Sequence, residues 1–252
     1  MIKNTLNSLE ETMPKLMKVL SAIAQECFLI IKKRGLEFIA TDDDLRCQVS
    51  ISLAKELIEE WHIKSEHILK VNIDIIRNIF YSKQPITGIR DLEKSVVEIK
   101  FGKTKYISLY ILDEGHQNKL KLIKPRKGRK LFSMRLSSMD LKKFLKIASN
   151  ALDELIFEVT DGGGLQIRAE YLNCYLSSKI EPVSIRKTTN GLRFSVPMKY
   201  LRILAPLLDL SKTHSITLMD NNVLVIEVSK SARIKCKANI TSLINTYNSI
   251  SR

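Results

Sequence analysis

The sequence predicts an α+β fold of two similar domains, each with two helices packed on antiparallel sheets. Three observations predict it. The stretch from Leu16, "LMKVLSAIAQECFLIIKKRGLEFIATDDDLRCQVSISL", lies over the stretch from Leu141, "LKKFLKIASNALDELIFEVTDGGGLQIRAEYLNCYLSSKI". Further on, "LKVNIDIIRNIFYSK" from Leu69 lies over "FSVPMKYLRILAPLLDLSK" from Phe194, a period of roughly 125 residues. Within each copy the apolar spacing switches from helical to alternating and back again.

The first helix of each copy is marked by apolar residues at i, i+3/i+4 and i+7: Leu16, Val19, Leu20 and Ile23, then Leu141, Phe144, Leu145 and Ala148. Each leads through a strand to G-L-x-[Phe/Ile]-x-Ala, at Gly35 to Ala40 and Gly164 to Ala169. There glycine permits the positive φ of a tight hairpin, and alternation marks the following strand. A short strand then enters the second helix, with Asn72 as a predicted N-cap and Pro197 as a predicted first-turn proline. "SVVEIKF" and "KYISLYIL" close the first copy; "SITLMD", "NVLVIEVS" and "ARIKCKANI" close the second. The predicted domains are 1–114 and 131–252, joined by a linker at 115–130 that carries seven Lys or Arg and no acid, and so is solvated and self-repelling.

At 252 residues, 44% apolar, with 6 Pro and 9 Gly, the chain is ordered rather than low-complexity. Runs such as "FLII" are too short to span a bilayer and the first fifteen residues lack a secretory apolar region, so the expectation is an intracellular protein, associated with DNA in a prokaryotic cytoplasm or a eukaryotic nucleus. Cys27, Cys47, Cys174 and Cys236 form no C-x-x-C and read as buried thiols. With 41 Lys+Arg against 27 Asp+Glu the formal charge is +14, which favours a polyanionic partner, nucleic acid before membrane.

Catalytic signatures are sparse. His62, His67, His116 and His214 make no metalloprotease or deaminase pattern, and no phosphate loop or nucleophile elbow is present. "DGGGL" (Asp161 to Leu165) leads into a strand, whereas a phosphate loop leads into a helix N-terminus. The trio Asp42, Asp43 and Asp44 has the ligand chemistry of a hard cation, with Asp74, Asp91 and Glu93 as further candidates for a metal-dependent nuclease. Its counterpart in the second copy, "AEYLNC", has only Glu170, which points to a capped turn. No metal and no cofactor is expected.

The four helices carry Lys15 and Lys18; Arg77, with Lys83 just beyond; Lys142, Lys143 and Lys146; and Lys199 and Arg202, with Lys212 just beyond. Asp74 and Asp140 sit in first turns, where the helix dipole favours them. A shared positive side without interleaved aromatics predicts sequence-independent contact with the phosphates of a duplex.

Taken in order and spacing, the duplicated halves, "FLIIKKRGLEFIATDDD", "VNIDIIRNI", "KYISLYILD", "GGGLQIRAE" and "FSVPMKYLRILAPLLDLSKTHSITL" resemble the sliding clamps of the proliferating cell nuclear antigen (PCNA) type. The resemblance implies a duplicated DNA-clamp fold, non-enzymatic, with three subunits in a homo- or heterotrimeric ring of six domains around double-stranded DNA. It implies partners that are polymerases, a clamp loader and other replication and repair enzymes. It further implies subunit contacts through Tyr106, Ile107, Leu109 and Tyr110 on one edge and Cys174, Tyr175 and Leu176 on the other. Partner binding would fall on Thr41, Leu45, Arg46, Leu122, Ile123 and Pro125. This chain departs from the family in its basic linker and in ending "KCKANITSLINTYNSISR", without an Ala-Pro-Lys/Arg segment. A divergent viral or checkpoint-type clamp-like factor, acting as monomer, dimer or hetero-ring, is the alternative, and the nuclease a third.

Overall fold

The computed structural model describes residues 2–81, 86–93, 96–103, 105–110, 128–148, 153–171 and 174–244. Contacts divide the chain into two units, one of Met1–Ile123 with Ser229–Cys236, the other of Lys124–Val228 with Lys237–Arg252. Of the predicted linker only residues 128–130 are described.

The first unit runs α1 (Ile2–Ile23), β1 (Glu26–Lys32), β2 (Gly35–Thr41), β3 (Cys47–Ala54), a 3-10 turn (Lys55–Leu57), β4 (Glu60–His62), β5 (His67–Asn72), α2 (Ile73–Tyr81), β6 (Ile86–Glu93), β7 (Val96–Phe101) and β8 (Lys105–Tyr110). Its strands stand in the orders β3-β2-β1-β5 and β4-β6-β7-β8. The predicted first helix is present but longer than the periodicity suggested: α1 begins at Ile2 and continues through Pro14. Proline there withholds one N–H from the helical ladder, while Met13, Leu16, Met17 and Leu20 beside it are buried. The α2 N-terminus is capped as expected, the Asn72 Oδ1 accepting from the Asp74 N–H (2.9 Å) and the Ile75 N–H (3.3 Å). At Gly35 a side chain has no room, since an added Cβ would lie 2.1 Å from the Leu53 carbonyl oxygen. Ser229–Cys236 belongs to this unit: the Lys230 ammonium donates to the buried Thr12 hydroxyl, and the Ala54 N–H to the Arg233 carbonyl (2.9 Å).

The second unit runs β9 (Lys130–Ser137), α3 (Ser138–Ile147), β10 (Glu154–Val159), β11 (Leu165–Tyr171), β12 (Cys174–Ile180), β13 (Ser184–Lys187), β14 (Arg193–Pro197), α4 (Met198–Leu208), β15 (Thr213–Met219), β16 (Val223–Ser231), β17 (Ile234–Thr241) and β18 (Leu243–Ile244). The ends of β16 and the start of β17 are the segment counted with the first unit. Strands stand in the orders β12-β11-β10-β14-β18 and β13-β9-β15-β16. Pro197 is the N-cap rather than a first-turn residue, closing β14 with extended ψ before α4 starts at Met198. The positive φ of the β10–β11 turn falls on Gly163 (76°), one residue before the predicted Gly164. Phe157 stacks on Phe194 with centroids 5.1 Å apart, and Phe132 tilts against the same ring at 5.5 Å.

The repeat is real and has one gap. The order β3-β2-β1-β5 in the first unit matches β12-β11-β10-β14 in the second, and α2 and α4 follow β5 and β14 alike. In the second unit β9 lies between β13 and β15, antiparallel to both. Their counterparts β4 and β6 pair directly and in parallel, Glu60 with Gly88 and His62 with Arg90. That is the geometry left when the central antiparallel strand is removed, and in the first unit the chain preceding the core of α1 is helical instead. Gly88 accommodates the pairing, since a Cβ there would meet the Glu60 side chain at 3.1 Å.

Cys27, Cys47 and Cys236 are buried and free, and burial pushes the Cys27 and Cys236 thiols up to about 12, so both stay protonated. His214, 2% exposed at the base of α3, has Nδ1 3.1 Å from the Ser138 hydroxyl, while burial lowers its pKa to about 4. An unfolded histidine titrates near 6.5. Above that pH both states are neutral and His214 imposes no penalty. As the pH falls toward 4 the unfolded chain takes up a proton that the folded one refuses, so folding stability falls by roughly 3 kcal/mol across that window. Denaturant unfolding of His214→Gln at stepped pH should show a correspondingly flatter loss between pH 6.5 and 4 than the parent.

Candidate nucleic-acid interface

Each unit contributes a pair of packed helices, α1 with α2 and α3 with α4. Their apolar stripes are committed to the core: Leu16, Val19, Leu20, Ile73 and Ile76 in one unit, Leu141, Phe144, Leu145, Leu201 and Leu204 in the other. The cations therefore take the opposite side, as helical periodicity requires. Lys15, Lys18, Lys142, Lys143, Lys146, Lys199, Arg202 and Lys212 are all exposed. Arg77 is half-buried; it pairs with Asp74 at 2.9 Å, and its Nη1 donates toward the Ser21 hydroxyl at 3.4 Å. The Lys142 ammonium pairs with Asp209, which caps the C-terminus of α4, and the Lys199 ammonium lies 4.6 Å from the Tyr200 ring centroid. Lys83 falls outside the described residues.

The two strands singled out for subunit contact stand at sheet edges. β8 ends the order β4-β6-β7-β8, and β12 begins the order β12-β11-β10-β14-β18. On β8, Tyr106 is 49% exposed and Ile107 and Leu109 are half-buried; on β12, Leu176 is half-buried. The side chains of Tyr110, Cys174 and Tyr175 lie outside the described residues. β3, which holds in the first unit the place of β12 in the second, has its outer edge followed in the strand order by β17, whose start Ile234–Cys236 belongs to that unit.

The Asp trio is a turn. The Asp42 Oδ1 accepts from the backbone N–H groups of Arg46 (2.8 Å) and Cys47 (2.7 Å), the Asp42 N–H donates to the Cys47 carbonyl, and the Leu45 N–H donates to the Asp42 carbonyl. The carboxylate thus holds the Arg46 backbone, as a capped turn requires. Leu45 adopts φ 56° and is 41% exposed, an unusual conformation for a leucine. Thr41 Oγ1 accepts from Gln48 Nε2 at 3.0 Å. Leu122, Ile123 and Pro125 fall outside the described residues. The other acids are engaged separately: Asp91 lies 2.8 Å from His67 Nε2 and accepts from the Lys64 N–H, and Asp74 pairs with Arg77. Among the described residues no group of three His, Cys, Asp or Glu is placed to hold a metal ion, and no helix is long and apolar enough to cross a membrane.

Sequence reading missed β4, β6, β9, β13 and β18. For β9 a signal existed: Phe132, Met134 and Leu136 alternate with Ser133, Arg135 and Ser137. Replacing Asp42 by Ala should lower unfolding stability by about 1–2 kcal/mol, because two backbone donors lose a charged acceptor. Asp43→Ala should stay within about 0.5 kcal/mol. Denaturant titration of the two variants beside the parent reads the difference.

No protein-family model and no curated protein sequence matches this chain. Solved structures do. It is similar to A. fulgidus PCNA bound to the C-terminal region of FEN-1, with a TM-score of 0.74 at 18% identity over 94% of this chain and 97% of that one. It is also similar to the Proliferating Cellular Nuclear Antigen of Entamoeba histolytica, with a TM-score of 0.73 at 12% identity over 92% and 95% of the two chains. Together with the repeated order of strands and helices, these matches show that the chain has the duplicated α+β fold of the PCNA clamps.

Proposed function

We propose that this chain is a ring-forming, non-enzymatic sliding clamp that encircles duplex DNA without reading its sequence and tethers replication and repair enzymes to it. The observation that carries the proposal is the relation between edges. β3 has a neighbour on its outer edge, the start of β17. Among the described residues β12 occupies the corresponding place without one, and β8, which ends its sheet as well, is equally open. Uncovered edges invite pairing with another chain. If β8 of one chain covers β12 of the next, both open edges gain a partner. A heterologous contact of this kind closes into a ring when its rotation allows, and three two-domain chains give six domains.

The domains would be 1–114 and 131–252, with 115–130 between them. Lys15, Lys18, Arg77, Lys83, Lys142, Lys143, Lys146, Lys199, Arg202 and Lys212 would face the phosphates. Eight of these are exposed in the structure, and contact limited to phosphate leaves the clamp free to slide. The turn at Thr41, Leu45 and Arg46, with Leu122, Ile123 and Pro125, would receive partner segments; the A. fulgidus neighbour, bound to the C-terminal region of FEN-1, supports a site for such a segment. The +14 charge also supports a second reading, a divergent clamp-like factor that binds DNA as a monomer, dimer or hetero-ring.

Light scattering separates the two. The clamp should have three times the 28.8 kDa chain mass, and Ile107→Glu combined with Leu176→Glu should return it to a single chain. A parent species of 28.8 kDa that binds linear DNA would sink the homotrimer. Changing Lys142, Lys143 and Lys146 to Glu should weaken DNA retention by at least about tenfold, since each phosphate contact contributes to affinity and salt dependence; unaltered retention would show that the helices are not the DNA-facing surface.

A further inference from the structure

A second basic surface lies away from the helices. β1 ends on Lys32, the β1–β2 turn carries Lys33 and Arg34, the end of β3 leads into Lys55, the turn before β17 supplies Arg233, and the start of β17 supplies Lys235. All six side chains are exposed, and the nearest carboxylates in sequence are Glu37, which pairs with Lys32 at 2.9 Å, and Glu56. The turns are fastened together by main-chain bonds: the Lys55 N–H donates to the Arg34 carbonyl (3.1 Å) and the Ala54 N–H to the Arg233 carbonyl (2.9 Å). Arg233 is held from its other side too, its N–H donating to the Ser231 hydroxyl at 3.1 Å. Between them is an open concavity of about 270 Å³ whose lining includes Lys32, Arg34, Arg233 and Lys235. Like charges are thus kept side by side by the backbone, at a cost that an anion would relieve.

We propose that these turns form a second phosphate-binding surface, one that holds the backbone of a nucleic acid outside the contact made by the helices. The observations favour nucleic acid over an acidic protein. Protein partners anchor through aromatic or large apolar residues, and this surface offers none: Leu36 and Leu53 are 2% exposed, and the exposed large apolar residues lie elsewhere. Phosphate contact needs only cations and donors on a fixed frame, and two of the cations are arginines, which fork onto phosphate oxygens.

The inference rests on the DNA-binding reading above, so its test separates the two. Anisotropy of a labelled linear 30-bp duplex, titrated at stepped salt, is compared for the parent, the helix variant (Lys142, Lys143 and Lys146 to Glu) and the turn variant Arg34→Glu/Arg233→Glu. The milder Arg34→Gln/Arg233→Gln is run beside it, and all variants are checked by thermal melting. The turn variant should bind at least about fivefold more weakly at low salt, with the slope of log K against log salt shallower by about two. The Gln variant should show a smaller loss in the same direction. A slope and affinity equal to the parent's in a folded turn variant overturns the inference, as does a parent that binds no duplex. Poly-glutamate that displaces the turn-dependent binding as well as unlabelled duplex does would assign the surface to an acidic protein instead and overturn it too. Loss in the turn variant with none in the helix variant would sustain the turn surface and reject the helix surface.

Discussion

Backbone hydrogen bonding at strand edges is the constraint on which the rest of this structure depends. A sheet satisfies its N–H and C=O groups only where a strand has neighbours on both sides. In this chain β8 and β12 end their sheets, while β3 has the start of β17 beside it. Under the proposed ring, copies would join through those edges without any specialised interface motif.

Covering one side of each helix fixes what the other can be. Once Leu141, Phe144 and Leu145 enter the core, Lys142, Lys143 and Lys146 are left on the exposed side. Partial neutralisation tempers that side: Asp74 holds Arg77 and Asp209 holds Lys142. Exposed pairs of this kind add little to stability, so their effect is to thin the charge, and under the proposed function they would keep the contact with a polyanion loose. At the second basic surface Glu37 holds Lys32 in the same way, while Arg34 and Arg233 have no carboxylate partner among the described ion pairs.

Much of this was legible from residue patterns where local chemistry decides. Asn72 announced its cap, Gly35 its crowded turn, and the apolar spacing of Leu16 to Ile23 and Leu141 to Ala148 the core sides of two helices. Other features depend on tertiary context. The periodicity marks the first helix only from Leu16, yet the helix starts at Ile2 and runs through Pro14, whose one missing donor is outweighed by the packing of Met13, Leu16 and Met17. β9 alternates cleanly but has no partner in the first copy, so comparing the halves concealed it. The Asp trio resembled a ligand set because composition does not distinguish a carboxylate aimed at an ion from one folded back on its own amides. The pairing of β4 with β6 and the convergence of two basic turns follow from topology, which no local pattern carries.

The helix at the head of the first unit also changes how that unit meets its entropic cost of ordering. A strand between β4 and β6 would satisfy its backbone through residues near Glu60 and Gly88, closing long loops before any bond is gained. α1 closes its bonds four residues apart, apart from the one Pro14 withholds. Its cost is helix nucleation, met locally, and the contact order of the first half is lower than that of a strict copy of the second. Two halves with nearly the same architecture thus present different kinetic problems, and the half beginning with α1 is the one whose N-terminal segment can order without waiting for distant chain.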